Sequence, residues 1–114
     1  MRKVDKPWGY EEIWAETEAY AGKILHINPG HRLSLQYHQT KEETVYVLSG
    51  TLLIWINKSD NEYLVVGKGG SYHVDAGSIH RFGSPEGQGD PTILIEVSTN
   101  HLDDVIRLAD DYER

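Results

Sequence analysis

Polar and apolar residues alternate along most of this chain, in runs too short for helices. Residues 10–14, 22–28, 33–38, 44–49, 51–56, 62–66, 71–74, 80–82 and 92–98 are each rich in β-branched or aromatic side chains, which suit a pleated, half-buried strand. Turn-forming stretches separate most of them: NPG at 28–30, NKSDN at 57–61, GKGG at 67–70, DAGS at 75–78 and GSPEGQGDP at 83–91. Many short strands at this spacing predict an all-β fold, an antiparallel barrel or sandwich. The run VYVLSGTLLIWI at 45–56 reads as one long hairpin turned at Ser49-Gly50. Only NHLDDVIRLADDY at 100–112 has a helical period, with Asn100 as its cap and Leu102, Val105, Ile106 and Leu108 as its apolar side.

At 114 residues the chain is long enough for one core and too short for two, so residues 1–114 are expected to form a single domain. The longest apolar run, 52–56, falls far short of the roughly 20 residues of a membrane span. MRKVDKPWGYEEIW at the N-terminus lacks the apolar block of a signal peptide, and a cytoplasmic location is expected. The absence of cysteine excludes disulfides and leaves imidazole, carboxylate and amide groups as the only metal ligands. A formal charge of −7 opposes binding to nucleic acid or to an anionic membrane.

Within 33–50 three polar residues stand where a strand would carry packing side chains. Gln36 and His38 share a face by alternation, with Ser34 and Arg32 on the same side. Glu43 begins the next run, and His80 follows a turn on a later one. An amide, a carboxylate and two imidazoles on neighbouring strands suit a divalent ion such as Zn, Mn, Ni or Fe. His26, His31, His73 and His101 carry no such joint pattern.

Residues 30–50 resemble the first motif of the cupin superfamily: Gly30, His38, Glu43 and Gly50 are in register, and Gln36 replaces the first histidine. Residues 69–84 resemble the second motif through Gly69, Gly77 and His80, with Asp75 in place of the usual proline and Ser84 in place of asparagine. The resemblance implies a cupin-type β-barrel, the double-stranded β-helix or jelly roll. KPWGYEE, PGHRLSLQYH, IEVST and LDDVIRLADDYER resemble the cupin portion of type II mannose-6-phosphate isomerases, from Lys6 to Arg114. That family usually has His-Trp where this chain has Thr44-Val45, and glycine where it has Glu113. Its bifunctional members carry an N-terminal nucleotidyltransferase domain as well; a stand-alone cupin is the expectation here.

The function implied is metal-dependent interconversion of mannose 6-phosphate and fructose 6-phosphate, with Gln36, His38, Glu43 and His80 on the metal. Glu96 is the first choice of base, ahead of His31. Arg107, which matches the arginine of the closing pattern, and Arg32 and Lys6 are expected to take the sugar phosphate. An iron-dependent dioxygenase and a non-catalytic cupin binding a sugar or small anion are the alternatives. A homodimer is expected, with the WGYEEIW strand covering a sheet edge.

Overall fold

The computed structural model describes residues 1–58 and 60–112. Alternation decides which side of each strand is buried. On 92–99, for example, Thr92, Leu94, Glu96 and Ser98 are buried, whereas the residues between them are half-buried or exposed. Eleven strands form among the described residues: β1 (Arg2–Lys6), β2 (Gly9–Glu16), β3 (Tyr20–Ile27), β4 (Leu35–Tyr37), β5 (Glu43–Ser49), β6 (Leu52–Ile56), β7 (Tyr63–Val66), β8 (Ser71–Val74), β9 (His80–Gly83), β10 (Thr92–Thr99) and β11 (Ile106–Ala109). They make two antiparallel sheets, ordered β1-β2-β3-β10-β5-β8 and β11-β4-β9-β6-β7. The sheets face each other across a core that includes Trp8, Leu25, Val45, Val47, Leu52, Ile54, Phe82 and Leu94. This is the expected all-β jelly roll, two open sheets rather than one closed wall. Among the described residues no helix is long and apolar enough to cross a membrane.

Three expectations about elements are corrected. Residues 45–56 are not a hairpin, because β5 and β6 lie in different sheets. After Gly50 the chain crosses over, so Val45 and Val47 pack on the core from one side while Leu52 and Ile54 pack from the other. The Thr51 amide donates to the Gln88 side chain at 2.8 Å instead of to a hairpin partner.

Residues 100–112 are not helical. Asn100 turns its amide onto the Thr17 carbonyl, Leu108 is exposed, and the segment ends as β11 on the edge beside β4. β1 is not legible in the sequence either, since RKVDK has one apolar residue and no alternation to read. It is β1, not 10–14, that occupies the edge of the six-stranded sheet. Gly9 makes the β1–β2 connection possible: at φ 151° any Cβ would lie 1.9 Å from the His26 carbonyl oxygen. The glycine replacement noted at Glu113 lies outside the described residues.

Candidate functional site

His38 follows β4, Glu43 opens β5 and His80 opens β9, so strand register sets their spacing. All three are buried, at 3% exposure or less. The His80 and His38 Nε2 atoms lie 3.3 and 3.7 Å from one oxygen, Glu43 Oε1, and the three residues' ligand atoms fall within 4.8 Å of one another. Each ring is fixed from behind. His38 Nδ1–H donates to the Asp104 carbonyl at 2.5 Å and His80 Nδ1–H to the Ser78 carbonyl at 2.9 Å, which leaves Nε2 on both rings as the lone-pair nitrogen.

His38 Nε2 is beyond hydrogen-bond distance of Glu43, and both Nε2 atoms are buried without a hydrogen-bond partner. Two partnerless imidazole nitrogens beside a carboxylate are costly in a buried site, and a cation satisfies all three at once. The residues therefore fit a divalent ion. Burial pulls the His38 imidazole down, but the Glu43 carboxylate and the Asp104 carbonyl more than offset it and hold it above its ordinary value. Burial pushes Glu43 up, yet the two histidines and Lys41 hold it well below the usual carboxylate range.

Gln36 stands directly opposite His80 where β4 meets β9. Its amide oxygen accepts the Ser34 hydroxyl at 2.8 Å, and its side chain lines the same cavity as His38 and Glu43. That cavity, about 350 Å³, lies between the sheets. On its wall Lys41 Nζ bridges Glu43 Oε2 at 2.9 Å and Glu96 Oε2 at 3.3 Å, with all three side chains buried. Burial pushes Glu96 up to about 7, with the Glu43 charge adding to it and Lys41 and Lys23 pulling back. Burial lowers Lys41, but the two carboxylates outweigh that and raise it.

Lys6 and Arg107 line the cavity. Lys6 is 3.9 Å from Glu11, which also takes Lys23 at 3.2 Å. Arg107 is paired across β11 with Gln36, so Arg107, Gln36 and His80 form one row over three strands.

Arg32 is not in the cavity, contrary to expectation. Alternation fails between Leu33 and Ser34, which both line it, because β4 starts only at Leu35. This turns Arg32 outward, where it chelates Asp111 with Nε at 2.5 Å and Nη2 at 3.0 Å and stacks on Trp55. Arg81 is buried and structural, donating to the carbonyls of Leu33 and Ala109. His31 meets Tyr112 at 2.6 Å and does not line the cavity.

Lys41, Lys23, Glu11 and Asp104 were not foreseen. Lys23 and Glu96 carry a readable signal, as charged residues on the same alternation as Leu25 and Leu94. Lys41 sits in a loop, where no alternation exists.

The sequence pattern of the family described as "Mannose-6-phosphate isomerase C-terminal" matches residues 1–110. The chain belongs to this family. Its relatives include the mannose-1-phosphate guanylyltransferase ManC of Salmonella typhimurium, 34% identical over 99% of this chain and 23% of that protein. The xanthan biosynthesis protein XanB of Xanthomonas campestris is 32% identical over 99% of this chain and 24% of that protein. The chain thus spans about a quarter of the length of these curated relatives. An RmlC-like cupin from Shewanella frigidimarina superposes with a TM-score of 0.72 at 17% identity, covering 87% of this chain and 83% of the other. The cupin fold of this mannose-6-phosphate isomerase C-terminal chain is thereby established.

These relatives correct the expected reaction. ManC is named for guanylyl transfer to mannose 1-phosphate, not for an isomerisation, and neither the dioxygenase nor the non-catalytic alternative finds support among them.

Proposed function

We propose that this chain is the metal-bearing cupin module of a mannose-1-phosphate guanylyltransferase system. In this reading a divalent ion is held by His38, Glu43 and His80, and a mannose phosphate enters the cavity above it. The observation that carries it is the pair of buried, partnerless Nε2 atoms facing Glu43, with His38 and Glu43 in the wall of the cavity that Arg107 and Lys6 also line. When bound, such an ion supplies a Lewis acid for a sugar oxygen. The chain's own residues do the rest. Asp104 and Ser78 fix the imidazole rings, and Lys41 holds Glu43 in place while neutralising it. Arg107, for which no ion pair forms among the described residues, offers a planar donor set suited to phosphate. Lys6 adds a second positive charge at the same cavity.

The test is metal analysis and calorimetry on tag-free protein. Wild type should retain one tightly held divalent ion, which His38→Ala and His80→Ala both lose. It should bind mannose 1-phosphate, and Arg107→Ala should weaken that binding by about 10- to 100-fold, as expected for a lost charge-assisted contact of about 1.5–3 kcal/mol. Tightly held metal in both alanine variants, or no binding of mannose 1-phosphate by the metal-loaded protein, would overturn the reading.

A further inference from the structure

We propose a second divalent-metal site, on the outer face of the six-stranded sheet, formed by Glu42, His73 and Asp75. Thr44 and His73 are direct cross-strand partners on β5 and β8. Glu42 lies two residues before Thr44 and Asp75 two residues after His73, so alternation brings all four to one face. Between them Glu43 and Val74 point inward, which puts this cluster on the opposite side of the strand pair from the buried histidines.

His73 Nε2 lies 3.1 Å from Glu42 Oε2 and 2.9 Å from Asp75 Oδ1. Thr44 Oγ1 is 2.9 Å from Nδ1; in the tautomer whose Nδ1 proton is donated to that hydroxyl, Nε2 offers its lone pair on the side of the two carboxylates. Either a proton on Nε2, hydrogen-bonded to Asp75 at 2.9 Å, or a metal ion held by all three atoms relieves the repulsion between them. Among the described residues no lysine or arginine pairs with either carboxylate.

Two further observations meet here. Thr44 and Asp75 are both positions where the chain departs from the motifs it otherwise follows, and the departures supply the ring-fixing hydroxyl and one ligand. Beside the cluster is a shallow depression lined by Glu42, Thr44, His73 and Val97. One imidazole and two carboxylates suit Zn²⁺, Ni²⁺ or Cu²⁺, with water completing the shell.

Such an ion ties together the two segments that carry the inner ligands. Glu42 precedes Glu43, and Asp75 opens the turn whose Gly77 amide donates to the His38 carbonyl at 2.7 Å. Gly77 has a φ of 84°, which glycine alone adopts without strain.

The proposal does not depend on the mannose-phosphate reading, and one titration separates them. Chelator-stripped, tag-free protein is titrated with Zn²⁺ and followed by native mass spectrometry and calorimetry. Wild type takes two equivalents, His73→Ala one, His38→Ala one, and the double variant none. A single equivalent in wild type that His73→Ala abolishes and His38→Ala retains would still support the outer site while removing the inner one. Two equivalents in His73→Ala, or a single wild-type equivalent abolished by His38→Ala, would leave the cluster as hydrogen bonds only and overturn the proposal. Asp75→Asn guards against misfolding of the alanine variant, and should weaken the outer step at least 10-fold with the inner step unchanged; equal outer affinity would also overturn it.

Discussion

At the scale of single residues, the cavity depends on Lys41. Its ammonium is the cation shared by two buried carboxylates, Glu43 and Glu96. Lys41→Met keeps the aliphatic bulk and leaves two uncompensated acids behind, a change that typically costs about 3–5 kcal/mol. At about 1–3 kcal/mol per molar urea, the unfolding midpoint should fall by at least about 1 M, and saturating metal should recover part of the loss by restoring a cation beside Glu43. An unchanged midpoint in metal-free protein would show that the pair is not needed. His38, Glu43 and His80 were legible from sequence because their spacing survives in strand register. Arg32 was misread because alternation was carried through Leu33 and Ser34, where the chain is not yet a strand. Lys41 was unreadable for a related reason, since a loop residue has no periodicity to betray which way it points.

At the scale of elements, the C-terminal segment is the main departure from what the pattern implied. A helical period across 100–112 is real in the sequence, but Asp104 is used elsewhere. Its carboxylate accepts the backbone amides of Gln39, Thr40 and Lys41 at 3.0, 2.7 and 2.9 Å, and its carbonyl holds His38. Long-range contacts of this kind override local propensity, and nothing in 100–112 alone reveals them. The three amides, Lys41 first, hold the Asp104 carboxyl down at about 2. A depressed carboxyl stabilises the fold above its unfolded pKa and loses that contribution as pH falls through its folded value. The stability difference between wild type and Asp104→Asn should therefore be full above about pH 4 and shrink as pH drops toward 2. Urea titrations across that range check this, and a difference independent of pH would rule out the carboxylate as its source. The strands were more readable, since nine of the eleven coincide with alternating runs. The split of 45–56 between two sheets was hidden because a crossover and a hairpin share the same Ser-Gly turn signal.

For the whole molecule, the two sheets and their shared interior followed from strand spacing and turn residues, and the motif glycines placed the chain among cupins. The reaction did not follow in the same way. The residues that resemble an isomerase occupy a domain of about a quarter of the length of ManC, whose name describes a different chemistry, and a domain's motif carries its architecture further than its substrate.

On the proposed mannose-phosphate reading, the row Arg107–Gln36–His80 would act as a caliper. Two inter-strand steps separate its ends, roughly 10 Å between α-carbons, and backbone hydrogen bonding sets that gap independently of any loop. A ligand that reaches the histidine end with its sugar and the arginine with its phosphate is sorted by length before stereochemistry. Triose, tetrose, pentose and hexose phosphates offered in turn to the metal-loaded protein should show affinity rising in a step at one chain length, and Arg107→Ala should flatten that step. A smooth rise with size in both proteins would mean that the ends are not gripped together.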